Sequence, residues 1–190
     1  MYYLMLSLPA MDLLVHSLLI FYLYSVNVMG LQESVVSNTT PDNYITAIAA
    51  LNIPSNEGTG DWHFFENFMI HDDAIPTQQV AGIDTLPTKQ WLGDIGIFEC
   101  QEILFECGVT TLNKNRIIYA ANHYRAIADM VYDNVKRGHS IKDTISLTDW
   151  LPELHEKKKI YELVDRFHTD MTSEEWRKIE EWKELTIISD

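Results

Sequence analysis

Arg116 and His123 are the residues whose types and spacing fit a reaction most directly. Seven positions apart, they fall about 20° from alignment on a helix that turns 100° per residue. A histidine there can take the proton of a ribose 2′-hydroxyl while the arginine holds phosphate charge, an arrangement suited to cutting RNA. A second concentration of polar chemistry is Glu57-Gly-Thr-Gly-Asp-Trp-His63. Its glycines allow close backbone approach to a ligand, and Glu57, Asp61 and His63 offer acid, base or ligand groups beside Trp62. It is neither a phosphate loop, which ends in Gly-Lys-Ser/Thr, nor a dinucleotide fingerprint, which follows a strand. His71-Asp72-Asp73 could join His63 around a divalent cation, but nearness in sequence does not make ligands converge in space. No metal or other cofactor is therefore assigned. Each group also has a structural alternative: a tight turn capped by Asp61 with Trp62 packed inward, an exposed Arg116, and His123 in a helix–helix contact.

These residues need elements to position them. A helix is predicted from about Asn115 to Arg137, ending at Gly138, with Ile117, Ala121, Tyr124, Ala128, Val131 and Val135 as its apolar stripe. Asn122, Arg125, Asp129 and Asp133 line another side. Asn122 and Arg125 are candidate binding residues there, and the row as a whole reads as a solvated face with intrahelical ion pairs. Upstream, Asp42 caps a short helix through Tyr44, Ile45, Ile48, Ala49 and Leu51, limited by Pro54. The aromatic run Asp61–Ile70 predicts a strand, paired as a hairpin with Val80–Ile83 across Pro76. Thr88 caps a helix through Trp91, Ile95, Phe98, Glu102, Phe105 and Cys107, with Gly108 just past its end; Gly93 and Gly96 weaken its start. A further helix begins near Thr148 or Asp149, carries Pro152 in its first turn, and buries Leu154, Tyr161, Val164 and Phe167. The last opens on the capping box Thr172-Ser-Glu-Glu175 and buries Trp176, Ile179 and Trp182. The expected fold is mainly α: one compact helical domain at 41–190 with a small β-hairpin, after a hydrophobic extension at 1–40.

Composition narrows the functions. With 46% hydrophobic residues in 190, the chain can bury a core. Its formal charge is −14, and nine acidic residues precede the first base, Lys89. Such a surface repels phosphate backbones, so general nucleic-acid binding is not expected, and Lys157-Lys-Lys159 is too short to reverse that. Acidity suits a basic partner protein, or simple solubility. Cys100 and Cys107 would lie about 10.5 Å apart along a helix, too far for a disulfide. They read as two thiols of a reducing, cytoplasmic compartment. Leu13–Met29 is apolar but at the lower limit of a membrane span, with no Lys or Arg to make a signal n-region or set an orientation. It reads as an extension from an upstream start, as an uncleaved anchor, or as a hydrophobic helix on the domain. Membrane contact is expected only if it is an anchor.

Two resemblances bear on function. The Arg116–His123 spacing resembles the R-x(4–6)-H motif of HEPN ribonucleases, all-helical proteins of toxin–antitoxin and phage-defence systems. This resemblance implies a metal-independent ribonuclease with Arg116 and His123 as catalytic residues, although Ile117 stands where those motifs commonly have a polar residue. Separately, GTGDWHF (58–64), LGDIGIFEC (92–100) and YAANHYRAIADM (119–130) resemble segments of uncharacterised bacterial proteins encoded beside nucleotidyltransferase-type toxins. That resemblance implies a non-enzymatic, antitoxin-like protein that binds and restrains such a partner. The interaction protein is the leading expectation, and the ribonuclease is the alternative.

Overall fold

A computed structural model describes residues 34–55, 64–70, 75–109, 112 and 116–188. The expectations for the hydrophobic N-terminal segment, for Glu57, Asp61, Trp62 and His63, and for His71–Asp73 lie outside these residues. The chain divides into units at 1–33 and 34–190, and only the second is described. It begins ahead of the Pro41 break. Val35 donates its N–H to the Phe68 carbonyl, and Gln78 bonds both the Ser37 N–H and hydroxyl.

Among the described residues the fold is mainly α with a small four-stranded sheet. In chain order the elements are β1 (Ile45–Thr46), α1 (Ala47–Leu51), α2 (Phe64–Phe68), β2 (Gln79–Val80), α3 (Lys89–Leu92), β3 (Ile97–Glu99) and α4 (Gln101–Glu106). Then follow β4 (Tyr119–Ala121), α5 (His123–Lys136), α6 (Ile141–Thr144), α7 (Leu147–Trp150), α8 (Leu154–Asp165), a 3₁₀ turn at His168–Asp170 and α9 (Ser173–Ile188). The sheet order is β2-β1-β4-β3. β1 runs parallel to β4, with Ile45 opposite Ala120, and antiparallel to β2. β3 forms the other edge, antiparallel to β4 with Phe98 opposite Ala120.

Several expectations change here. The aromatic run Phe64–Phe68 is helical rather than a strand, and Val80 pairs with Ile45 of β1 instead. The helix expected from Asn115 starts only at His123, because Tyr119-Ala-Ala121 is drawn into the sheet centre between β1 and β3. The helix expected from Thr88 is split by β3, whose entry turn uses Gly93 and Gly96 at positive φ. Pro152 lies between α7 and α8 rather than inside one helix. Other signals hold. α5 stops at Gly138 and α4 at Gly108, both at positive φ.

α5 is buried on almost every side because two apolar clusters meet on it. Ile127, Val131 and Val135 join Ile160, Val164, Phe167 and Ile179 from the later helices. Ala126 joins Ile45, Ala120, Leu104 and Phe68 around the sheet. Tyr132 packs tilted against Trp91 and Phe167 at centroid distances of 4.7 and 4.9 Å, and Trp91 meets Phe167 edge-on at 5.8 Å. Of the expected thiols, Cys100 is buried and Cys107 half-buried. No helix of the described residues is long and apolar enough to cross a membrane.

The capping box that opens α9 forms as the sequence implies. The Thr172 N–H donates to Glu175 Oε2 at 2.8 Å, and the Glu175 N–H returns a bond to the Thr172 hydroxyl at 3.2 Å. The Thr172 N–H holds the Glu175 carboxyl below its usual value, helped by the Thr172 hydroxyl and Lys136. Burial works against the shift at Asp170, but donation from Lys136 and Tyr132 still lowers it. A carboxyl with a folded pKa below its unfolded value contributes stability above that unfolded value, and the contribution is lost as pH falls through the folded one. Unfolding free energy is therefore expected to decline as pH drops below about 4.5. Urea titrations across this range should show a shallower decline in Glu175→Gln; an unchanged slope would contradict the assignment.

Candidate functional site

A row of polar residues on α5 carries Arg125, one of the expected binding residues. Arg125, Asp129, Asp133 and Arg137 recur at intervals of four and so share one side of the helix. Their spacing alone assigns this side to solvent. The structure instead places it against Tyr44, Thr46, Asp84, Leu86, Thr88, Gly93 and Ile95, with exposure rising from 0% and 1% at Arg125 and Asp129 to 15% and 44% at Asp133 and Arg137. At the buried end, Asp129 Oδ1 accepts from Arg125 Nε at 2.9 Å and from the Thr88 hydroxyl at 2.5 Å. Its Oδ2 accepts from the Tyr44 and Thr46 hydroxyls at 2.9 and 2.8 Å.

Arg125 uses the rest of its fork on other elements. Nη1 donates to the carbonyls of Gly93 and Ile95 at 3.1 and 2.9 Å, and Nη2 to the Thr88 hydroxyl at 2.9 Å. Its guanidinium carbon sits 5.2 Å from the centre of the Tyr44 ring. Thr88 occupies the position before α3 but makes no side-chain cap, because its hydroxyl is turned to Asp129. Burial pushes the Asp129 carboxyl up, against the opposing pull of Arg125 and the three hydroxyls. Burial and the Asp129 charge push the Tyr44 phenol up as well. One turn along, Asp133 accepts from the Leu86 N–H, and Arg137 donates to Asp133 and to the Asp84 carbonyl.

Asn122 caps α5, its Oδ1 accepting from the Arg125 N–H at 2.9 Å, while its own N–H donates to the Gly96 carbonyl at 2.6 Å. A methyl group at Gly96 would sit 2.5 Å from Asn122 Oδ1 and 2.7 Å from Arg125 Cβ. Of the two expected as binding residues here, Arg125 is buried and Asn122 is half-buried.

Arg116 and His123 are not on one helix. Arg116 precedes β4, and its Nη2 donates to the carbonyls of Val36 and Ser37 at 2.9 and 2.6 Å. His123 is the first residue of α5, 1% exposed, with Nε2 2.9 Å from the Ile53 carbonyl oxygen. The geometry that the Arg–His spacing implied, two side chains on one exposed helical face, is therefore absent. Among the described residues no group of three or more His, Cys, Asp or Glu could hold a metal ion. Burial pushes the Cys100 thiol up to about 12, so it is not poised as a nucleophile.

One surface feature was missed in the sequence. Phe105, expected on the apolar side of its helix, is 53% exposed, while Leu104 is the residue that α4 buries. Glu102, Phe105 and Glu106, at i, i+3 and i+4, share the outer face of α4, and Glu99 is exposed at the end of edge strand β3. From Gln90 to Asn113 the chain has four acidic residues and no Lys or Arg. That run was the available signal.

Compared with models of known families, with characterised proteins and with solved structures, the chain matches none.

The contact between the Gly96 turn and α5 gives a stability test. Gly96→Ala combines a side chain at φ +74 with overlap against Asn122 and Arg125. It is expected to lower unfolding free energy by about 2–4 kcal/mol. Gly93→Ala, at φ +57 with nothing within 4 Å, carries only the backbone penalty. Chemical denaturation of the two variants should rank them in that order; equal losses would contradict the packing described.

Proposed function

We propose that this chain is an acidic interaction protein of antitoxin type, which binds a partner protein and restrains it. The observation that carries this reading is Phe105, exposed beside Glu102 and Glu106 on the outer face of α4, the helix that follows edge strand β3 and its exposed Glu99. Exposed aromatics are common anchors of protein interfaces, because a rigid ring fills a partner pocket with little loss of side-chain freedom. Carboxylates around such an anchor favour a basic partner and disfavour a second copy of the same acidic face. The arrangement therefore suits a heterologous partner with a basic rim around an apolar pocket.

Two further features favour binding over chemistry. Arg116 and Arg125 donate to backbone carbonyls, and His123 lies against one, so their polar groups serve the fold. The segment 92–100, one of those resembling toxin-linked bacterial proteins, includes β3 and leads directly into the acidic face. That resemblance is the basis for naming a nucleotidyltransferase-type toxin as the partner class.

Co-expression with the product of the neighbouring gene tests the proposal. The expected outcome is a toxic neighbour whose growth defect this chain relieves, and a complex that co-purifies and weakens as salt rises. Phe105→Ala should weaken the complex about ten-fold or more. Glu102→Lys with Glu106→Lys should weaken it further while leaving the far-ultraviolet spectrum unchanged. A harmless neighbour, or no co-purification, would contradict the antitoxin reading. A complex indifferent to both variants would contradict the use of this face.

A further inference from the structure

The turn that ends α5 and the outer side of α9 line a cleft of about 320 Å³ that the proposed partner face does not use. α9 contributes Lys178, Glu181, Trp182 and Leu185, at i, i+3, i+4 and i+7, so one helix face forms a whole wall. The turn and the start of α6 contribute the other wall, with Ile141 and Lys142 among its residues. Each wall therefore carries both an apolar group and a lysine. Leu185 is half-exposed and Ile141 is buried. Trp182 is 2% exposed, yet its indole N–H has no acceptor among the described residues.

The charges are as uneven as the surfaces. Glu181, the one carboxylate lining the cleft, is bonded by Arg177, which also holds Glu174. Among the described residues Lys142 makes no ion pair, and Lys178 acts only at a distance, on the Glu174 carboxylate one turn earlier. In a chain of formal charge −14, the cleft lining still holds two lysines against one glutamate, a small local excess of positive charge. Distant acidic groups do not cancel it, since fields from exposed charges fade within about 8 Å at physiological salt.

We propose that this cleft binds a small organic anion, a carboxylate or phosphate carried on a flat apolar body. The body lies against Trp182 between Ile141 and Leu185, and the anionic group meets Lys142 and Lys178. The Ser140 hydroxyl, also on the lining, adds a donor. The cleft is separate from the Glu99–Glu106 face in sequence and opposite in charge, so a ligand here would act independently of the partner contact.

The test uses 1-naphthyl phosphate, with 1-naphthol and inorganic phosphate as separate halves of the same chemistry, titrated into the full chain. Binding is followed by calorimetry and by the ¹⁵N indole signals. The expected dissociation constant for 1-naphthyl phosphate is about millimolar or tighter, as its size allows. One indole N–H should shift with that curve. Lys142→Gln with Lys178→Gln should weaken binding about ten-fold, from two exposed charge contacts. Lys158→Gln, away from the cleft, should leave binding unchanged. 1-naphthol and phosphate should each bind about ten-fold more weakly than the joined molecule. No heat and no indole shift up to about 10 mM, some ten-fold above the expected constant, would overturn the proposal. So would equal binding of 1-naphthol, or full binding by the double lysine variant.

Discussion

A buried ion pair between Arg125 and Asp129 is the constraint on which the rest of this domain depends. Both side chains are withdrawn from water, which costs several kcal/mol per charge unless the lost hydration is replaced. Here it is replaced almost bond for bond. Asp129 receives four donors, and Arg125 reaches three further acceptors besides the carboxylate. The partners come from the approach to β1, from β1 itself, from the residue before α3 and from the turn into β3. Because an unsatisfied buried charge is so unfavourable, each of those segments has one position in which the set closes.

The remaining architecture follows from that placement. Thr46 must face Asp129, so Ile45 lies in the sheet opposite both Ala120 and Val80. The carbonyls of Gly93 and Ile95 must face Arg125, so the chain curls at Gly96 and enters β3 on the outer edge. α4 follows at once, with Leu104 inward and Phe105 outward. The acidic face that carries the proposed function is thus held by a cluster whose side chains are buried. At its other end, α5 stops at Gly138 and turns into the cleft lined by Trp182, so one buried helix supports both candidate surfaces.

What could be read from the sequence divides along physical lines. The capping box at Thr172 and Glu175 and the stops at Gly108 and Gly138 depend on local backbone chemistry, and they were legible. Val80 was expected in a strand and lies in β2, but the other strands were not legible, since they are two or three residues long and Tyr119-Ala-Ala121 fits a helical pattern as well as a strand. Pairing with distant segments decided them, as tertiary context commonly does. Charges spaced four apart look the same on a solvated face as on a buried one. The distinction lay in hydroxyls at Tyr44, Thr46 and Thr88, many positions away from Asp129. Phe105 was misread because an aromatic on a short amphipathic helix ordinarily points inward.

The most direct test of this account is a double-mutant cycle on the ion pair, read by equilibrium unfolding in urea. Arg125→Met and Asp129→Leu each leave the other charge buried and alone, and each should lose about 3–5 kcal/mol. The double variant, with no stranded charge, should lose much less than the sum of the two. Single variants within about 1 kcal/mol of the parent, or losses that simply add, would show that the pair does not hold the fold together.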